Sequence, residues 1–143
     1  MQDELFSPTI RDRRGSGPPP WRPESILYPA FFGGPLAGAT LGVLNGRRLG
    51  LARIQLLAIA AAGVVAFGAR LAVSAALEES RGIRFAGTID GVLVWLVVIG
   101  VQRRPFRAFM FGSGEPAGLL WPGLAAAIGC GLLEAVVIFG LIR

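Results

Sequence analysis

Four long apolar runs are the feature that most constrains what this chain can fold into. They cover residues 26–44, 54–77, 85–101 and 117–142 of the 143-residue sequence. About 20 apolar residues in a helix cross the hydrocarbon core of a bilayer. Hydrophobic residues make up 53% of the chain and its mean hydropathy is +0.61, which is too apolar for a soluble domain of this size. The sequence therefore predicts an all-α integral membrane protein.

The polar connections between the apolar runs are short. Because short connections make successive helices antiparallel, we expect an up-down bundle of four transmembrane helices over residues 26–143. The first run is interrupted by Gly33-Gly34-Pro35, which predicts a kink or a late helix start. The third connection, residues 102–116, is rich in Phe and is expected to lie at the membrane interface.

Residues 1–25 are predicted to form an irregular tail, either disordered or lying at the membrane interface. The run Pro18-Pro19-Pro20 favours polyproline II and disfavours a helix. Two interpretations of this tail are open. It is a proline-rich motif for a partner's aromatic groove, or it is a tether in which Trp21 rests at the membrane interface.

Small residues recur at four-residue spacing in three of the four runs, as in a glycine zipper. Helices in lipid associate through close backbone approach, so such stripes predict packing faces. We expect them to pack within the bundle rather than between copies of the chain. The stripe residues are Gly34, Gly38, Gly42 and Gly46 in the first run, Ala58, Ala62 and Ala66 in the second, and Gly123, Ala127 and Gly131 in the fourth.

Three ionisable residues, Arg70, Asp90 and Glu134, fall inside the apolar runs. Each costs about 2.5–3.5 kcal/mol near the centre of a membrane helix, so such residues are usually paired or face a cavity. In an up-down bundle all three lie roughly 9–14 Å below the surface that carries residues 78–84, so they are expected to meet in one layer. Tyr28 is expected to approach the same layer.

This predicted charge cluster has two interpretations. In the structural one, Arg70 bridges both carboxylates and locks the bundle. In the functional one, a carboxylate is left over to bind a proton or a cation. One Arg against two acids leaves a formal charge of −1, which favours uptake of a proton by a buried acid.

The net charge of +5 comes from Arg alone, because the sequence contains no Lys and no His. The Arg residues adjoin apolar runs, which indicates contact with anionic lipid headgroups rather than with nucleic acid. Counted along an up-down bundle, seven Arg fall on one side and six on the other. The six are denser, so the first and third connections are expected in the cytoplasm and both ends of the chain outside. Such near-balance is also typical of dual-topology proteins.

No reaction can be assigned to these residues. Without His, and with Cys130 as the single cysteine inside an apolar run, neither a catalytic triad nor a zinc site can be assembled. We therefore expect no enzyme activity, no cofactor and no metal. The leading interpretation is a non-enzymatic accessory or scaffolding membrane component with a membrane-protein partner or a second copy. The alternative is a minimal transporter or channel that uses Glu134 or Asp90.

Several short motifs resemble those of a group of small, uncharacterised bacterial integral membrane proteins with four predicted transmembrane helices. The motifs are Phe6-Ser7-Pro8-Thr9, then Phe32-Gly33-Gly34-Pro35-Leu36-Ala37-Gly38, Asn45 and Leu49-Gly50, with looser matches at Val101-Gln102, Gly112 and Trp121. The chain departs from the group by an Arg- and Pro-rich stretch after Thr9. The resemblance implies a multi-pass protein of the bacterial cytoplasmic membrane, and it implies no reaction.

Overall fold

The protein is all-helical in the computed structural model, which describes residues 17–77 and 80–142. A 3-10 turn precedes four α-helices, and these residues contain no strand beyond one isolated bridge. The all-α prediction is confirmed for these residues. By total length and composition alone, all four helices are long and apolar enough to cross a membrane. The elements are the turn Pro23–Ile26, α1 Leu27–Arg48, α2 Arg53–Ala76, α3 Ser80–Phe111 and α4 Leu120–Ile142.

The first helix is broken in the middle, at Gly34. Its backbone dihedrals there are φ 79° and ψ −170°, a conformation that is essentially restricted to glycine. Pro35 follows and has no N–H with which to continue the preceding helix, although it fits the first position of a new one. A Cβ atom at Gly38 would lie 3.0 Å from the Cβ of Ala30, whereas eight residues of straight helix span about 12 Å. The chain therefore turns back on itself.

The first part of α1, residues 27–33, runs antiparallel to α3. The carbonyl of Ala30 lies against Gly91. The indole Nε1 of Trp95, one turn further along α3, donates to the carbonyl of Pro23 at 3.1 Å. From Gly91 to Trp95 the residue numbers of α3 increase, whereas those of the residues they contact decrease from Ala30 to Pro23. This first part of α1, which we call the first arm, is therefore antiparallel to α3.

The second part of α1, residues 35–48, is called the second arm and runs parallel to α3. A Cβ at Gly38 would lie 3.4 Å from Val94, and one at Gly42 would lie 2.5 Å from Val98. Since the two arms run in opposite directions along one helix, α1 is a helical hairpin with its tip at Gly34. The predicted up-down order is therefore wrong for the first apolar run, which enters and leaves at the same end of the bundle.

The helix limits also differ from the predicted ones at the third connection. The predicted third helix, 85–101, continues to Phe111 and includes Pro105. It continues because Gln102 lies inside the bundle, fully buried and hydrogen-bonded, rather than at the start of a loop. The fourth helix begins at Leu120 rather than at 117, because Ala117 pairs with the backbone of Pro20 and Trp21 instead.

The described part of the predicted tail, residues 17–25, is packed into the fold. Trp21 is 3% exposed and belongs to the hydrophobic core, so its side chain is covered by protein rather than by lipid or water. The N–H of Ala117 donates to the carbonyl of Pro20 at 3.0 Å. Residues 1–16 lie outside the described residues.

The α1 hairpin changes which parts of the chain share an end of the bundle. Trp21, Asn45 and Ala117 meet at one end, which we call the Trp21 end. α4 starts at this end and finishes with Ile142 at the opposite one, called the Ile142 end. The described residues therefore begin near the Trp21 end and finish at the Ile142 end, because the first run turns back instead of passing through. The prediction that both ends of the chain lie outside the cytoplasm involves residues 1–16 and 143, which lie outside the described residues, and it stays a prediction.

Replacing Gly34 tests the hairpin tip, and Gly50 provides a matched control. Both have positive φ, 79° and 70°, but a Cβ at Gly50 would meet nothing within 4 Å. A Cβ at Gly34 would lie 2.5 Å from Oε2 of Glu134. We expect Gly50→Ala to lower the free energy of unfolding by about 1–2 kcal/mol through backbone strain alone. Gly34→Ala should cost at least about 2 kcal/mol more.

The measurement is unfolding of the purified variants in detergent, by heat or by a denaturing detergent. Equal losses for Gly34→Ala and Gly50→Ala would show that Gly34 does not sit against a packed tip.

Candidate functional site

The break in α1 leaves backbone groups of both arms without helical partners inside the bundle. The first N–H groups of a helix need acceptors from elsewhere. The N–H of Leu36, the second residue of the second arm, donates to Oε1 of Glu134 at 2.9 Å. Glu134 in α4 thus caps a helix in another part of the chain. Its negative charge also lies at the positive end of that helix's dipole.

The second carboxylate oxygen of Glu134 is bound by a cation. Its Oε2 forms an ion pair and a hydrogen bond with Nη1 of Arg70, from α2. The side chain of Glu134 is 0% exposed and that of Arg70 is 16% exposed. We call Arg70 and Glu134 the tip pair, because together with Leu36 they hold the tip of the α1 hairpin.

Two glycines make room for the tip pair. A Cβ at Gly34 would lie 2.7 Å from Nη1 of Arg70, and a Cβ at Gly87 in α3 would lie 2.5 Å from its Cζ. The guanidinium therefore fits between two glycine backbones, one from α1 and one from α3. Sequence reasoning did not assign Gly87 to the site. The signal that could have found it is a glycine one turn before Asp90, in the layer predicted for the buried charges.

Asp90 is the predicted member that does not join the tip pair. It is half-buried and attracts Arg70 electrostatically, but it makes no direct hydrogen bond or ion pair with another described residue. Gly87 and Gly91 take the inward positions of this part of α3 and contact Arg70 and the first arm of α1. Arg70 therefore pairs with one carboxylate instead of bridging two.

Two buried polar atoms near the tip have no hydrogen-bond partner among the described residues. They are Nε of Arg70 and Oγ of Ser74, one turn further along the same face of α2. Ser74 is only 2% exposed. Buried donors without acceptors are uncommon, since each loses its hydrogen bonds to water.

A second polar cluster closes the base of the hairpin at the Trp21 end. Asn45 accepts the N–H of Trp21 at 2.7 Å and donates to its carbonyl at 3.0 Å, so one side-chain amide pairs with both backbone groups. Asn45 also donates to Gln102 at 2.8 Å, and Gln102 donates to the carbonyl of Gly42 at 2.5 Å. Both amide side chains are 0% exposed. We call Asn45, Gln102 and Trp21 the base cluster.

Arg48 covers the outer side of the base cluster. Its Cζ lies 3.8 Å from the centroid of the Trp21 ring, a cation–π contact. Its Nη1 donates to the carbonyl of Pro19 at 3.0 Å. Sequence reasoning did not assign Asn45 or Gln102 to any site. The sequence signal for both residues was a polar amide at the end of an apolar run. This signal is weak in the sequence alone, because only the structure shows that the ends of the first and third runs meet.

Tyr28 lies away from the tip pair. Its hydroxyl is 2.9 Å from the carbonyl of Leu119 and 2.8 Å from that of Leu120, at the start of α4. It rests on Gly123, which has no side chain to obstruct it. The expectation that Tyr28 approaches the charge layer is wrong, because the turn at Gly34 places residue 28 nearer the Trp21 end.

The predicted stripe of α1 packs inside the bundle. Gly38 and Gly42 contact α3, and Gly46 lies against Leu56 of α2 and Leu51. Gly34 leaves the stripe because it forms the turn. The glycines of the second arm therefore allow close backbone approach between helices of the same chain.

The stripes of α2 and α4 have different outcomes. In α2 the buried residues are Ile59, Gly63 and Ser74. The predicted stripe lies beside this face, with Ala58 exposed and Ala62 and Ala66 half-buried. In α4 the stripe faces the first arm of α1, where Gly123 contacts Tyr28 and both Ala127 and Gly131 approach Gly33.

Chemically, the described residues offer a buried ion pair and an amide cluster. In residues 17–77 and 80–142, no group of three or more His, Cys, Asp or Glu side chains converges as a metal site would require. Cys130 is a free thiol and is half-buried. No family model, curated protein or solved structure matches the chain. The resemblance drawn from the sequence motifs therefore stays a prediction.

A double-mutant cycle tests the tip pair. Arg70→Leu leaves the Glu134 carboxylate buried and uncompensated, so we expect it to lower the free energy of unfolding by about 3–5 kcal/mol. Combining it with Glu134→Gln should recover part of this loss, because the neutral amide still accepts the N–H of Leu36. Arg84→Leu, at an exposed position of α3, should stay within about 0.5 kcal/mol of the natural protein.

These energies are measured by unfolding in detergent, as for the glycine variants. Strictly additive losses from Arg70→Leu and Glu134→Gln would mean that the two side chains do not interact.

Proposed function

We propose that this protein is a non-enzymatic accessory or scaffolding component of a membrane, which binds the transmembrane helix of a membrane-protein partner or of a second copy. The observation that carries the proposal is a set of small residues facing outward on α2 and α4. Gly68 and Ala72 of α2 are exposed, and so are Ala125 and Gly129 of α4. A Cβ at Gly68 or Gly129 would meet nothing within 4 Å.

Outward small residues at four-residue spacing suit a partner helix. Lipid tails are as apolar as leucine side chains, so helices in a bilayer associate by close backbone approach at such positions. Within this chain, the inward-facing glycines of α1 are already used against α2 and α3. The outward-facing small residues of α2 and α4 are not used in contacts within the chain. These two helices flank a bundle whose centre is formed by α1 and α3.

The interior supports a structural role as well. Irregular backbone at membrane depth is tolerated where it is buried in protein or lines an aqueous cavity. Gly33, Gly34 and Pro35 are all buried in protein. Both oxygens of Glu134 are engaged, and the base cluster satisfies its own amides. These polar residues hold the hairpin in place.

Crosslinking in membranes tests the scaffold. Single cysteines at positions 72 and 125, in a Cys130→Ser background, should crosslink to a partner or a second copy. Cysteines at Val64 and Val136, which are 68% and 67% exposed but carry large side chains, are the matched controls and should crosslink less. Gly68→Leu and Gly129→Leu should reduce the adducts at positions 72 and 125, because a leucine separates the backbones. Equal crosslinking at all four positions, or none, would contradict the proposal.

A transporter or channel is the second candidate, and one observation favours Asp90 over Glu134 as its carboxylate. Asp90 has no direct partner among the described residues, whereas Glu134 uses both oxygens. Ionisable residues inside membrane segments commonly mark ion pathways. Proton flux into vesicles that is lost in Asp90→Asn but kept in Glu134→Gln would support this candidate and contradict a purely scaffolding role.

We further propose that the protein lies in the bacterial cytoplasmic membrane with its Trp21 end in the cytoplasm. In this arrangement α2, α3 and α4 cross the bilayer, and the α1 hairpin enters and leaves on one side. Each arm of α1 is too short to cross, at 7 and 14 residues of the 22 in α1. Apart from Arg70 in the tip pair, the described arginines then divide seven to two, which is a clear positive-inside asymmetry. Those at the Trp21 end are Arg22, Arg47, Arg48, Arg53, Arg103, Arg104 and Arg107, and those near the Ile142 end are Arg81 and Arg84.

Labelling of single cysteines in intact cells tests this topology. In the Cys130→Ser background, cysteines at Gly17, Gly50 and Ser113 should be protected from a membrane-impermeant thiol reagent until the cells are opened. A cysteine at Leu77 should react directly. If positions 17 and 50 lie on different sides, α1 crosses the membrane and the re-entrant arrangement is wrong. If all four positions react partially, the protein inserts in both orientations.

A further inference from the structure

We propose that a groove at the Trp21 end binds a membrane phospholipid whose headgroup carries a primary ammonium, and that Glu24 holds that ammonium. The groove lies between residues 24–32, at the start of the α1 hairpin, and Leu119 and Leu120, at the start of α4. Such a site goes beyond the scaffolding proposal. It rests on the proposed arrangement in which the α1 hairpin enters the bilayer from the Trp21 end, whichever side of the membrane that end faces.

The deeper part of the groove has apolar walls. Phe31 and Phe32 of the first arm form one wall, and their rings meet edge to face with centroids 5.1 Å apart. Leu119 and Leu120 form the other. Phe31, Phe32 and Leu120 are exposed. The groove has a volume of about 470 Å³, within the range of ~300–1,000 Å³ that is usual for small-molecule sites. These walls suit an acyl chain.

Tyr28 joins the two walls and does not offer its hydroxyl to a ligand. That hydroxyl is already within hydrogen-bonding distance of the carbonyls of Leu119 and Leu120. The other polar side chains that line the groove are those of Glu24 and Ser25, in the turn that precedes α1. The polar part of the groove is therefore confined to one end of it.

The polar end of the groove is the end nearer the membrane surface. The first arm runs from the Trp21 end towards the hairpin tip, so Phe31 lies deeper than Glu24. At 1.5 Å per residue, the depth difference is about 11 Å. A phospholipid in one leaflet has the same order, with its headgroup at the surface and its acyl chains below. The groove therefore matches a lipid in both polarity and direction.

The charges at the polar end select the headgroup. Glu24 is exposed and forms no ion pair with another described residue, although the Trp21 end is rich in arginine. A primary ammonium donates up to three charge-assisted hydrogen bonds to such a carboxylate, whereas a choline group has no N–H to donate. Arg22 is exposed two residues earlier and can attract the phosphate of the same headgroup. A zwitterionic phospholipid with a primary ammonium fits both charges.

Photo-crosslinking in reconstituted membranes tests the groove. Phosphatidylethanolamine with a diazirine in one acyl chain should label Phe31 and Leu120 of the natural protein more strongly than Leu93. Leu93 is also exposed and lies at a similar depth in α3, because nearby Gly91 contacts Ala30. Unlabelled phosphatidylethanolamine should compete at about a tenfold lower mole fraction than phosphatidylcholine with the same chains, since one charge-assisted hydrogen bond distinguishes them.

Two pairs of variants locate the headgroup and the chain. Glu24→Gln should abolish the tenfold preference, whereas Glu115→Gln, an exposed acid at the same end that does not line the groove, should keep it. Leu120→Trp should reduce labelling of Phe31 by filling the groove, whereas Leu132→Trp should not. Leu120 and Leu132 are similarly exposed, at 61% and 63%. All four substitutions are at exposed positions, so the variants are expected to fold.

Equal competition by the two phospholipids in the natural protein, or a preference that persists in Glu24→Gln, would overturn the proposal. Equal labelling of Phe31 and Leu93 would also overturn it, because it would show ordinary boundary lipid. No labelling of Phe31 would show that protein rather than lipid covers the groove. The cysteine labelling described above tests the membrane arrangement separately, so a wrong topology is distinguished from an empty groove.

Discussion

The hydrogen bond from Leu36 to Glu134, with Arg70 on the other oxygen, is the interaction on which the arrangement of this protein depends. A helix that breaks inside an apolar bundle leaves N–H groups that neither lipid nor a neighbouring turn can satisfy. Here a carboxylate from α4 supplies the acceptor, and a guanidinium from α2 balances its charge. Helices α2 and α4 therefore both contact α1 at the turn at Gly34.

The tip pair and the base cluster stabilise opposite ends of the α1 hairpin. The tip pair stabilises the turn, and the base cluster joins Trp21 to Asn45 where the hairpin begins and ends. Between them the arms pack through glycines, since close backbone approach is the main source of attraction in lipid. A hairpin fixed at both ends fills the centre of the bundle, and α2 and α4 are left with broad apolar faces outside. Those faces underlie the proposed scaffolding role.

The same geometry separates the roles of the two buried acids. Glu134 is fully buried and committed to the hairpin, whereas Asp90 is half-buried and interacts with Arg70 only at longer range. Burial of a charge is costly unless it is paired, so a carboxylate in the position of Glu134 is expected to be structural. Nε of Arg70 and Oγ of Ser74 are buried without a hydrogen-bond partner among the described residues.

The sequence by itself determined the all-α class, the number of apolar helices and the layer in which Arg70 and Glu134 meet, because apolar run length and helical rise are local properties. It also located the break at Gly33-Gly34-Pro35, since proline and glycine act on their own backbone. Only the tertiary structure decided that the break is a reversal. The sharpness of a turn depends on what satisfies it, and Glu134 lies 98 residues after Leu36. The base cluster follows from that reversal, which brings Trp21 beside Asn45 and which no local sequence pattern predicts.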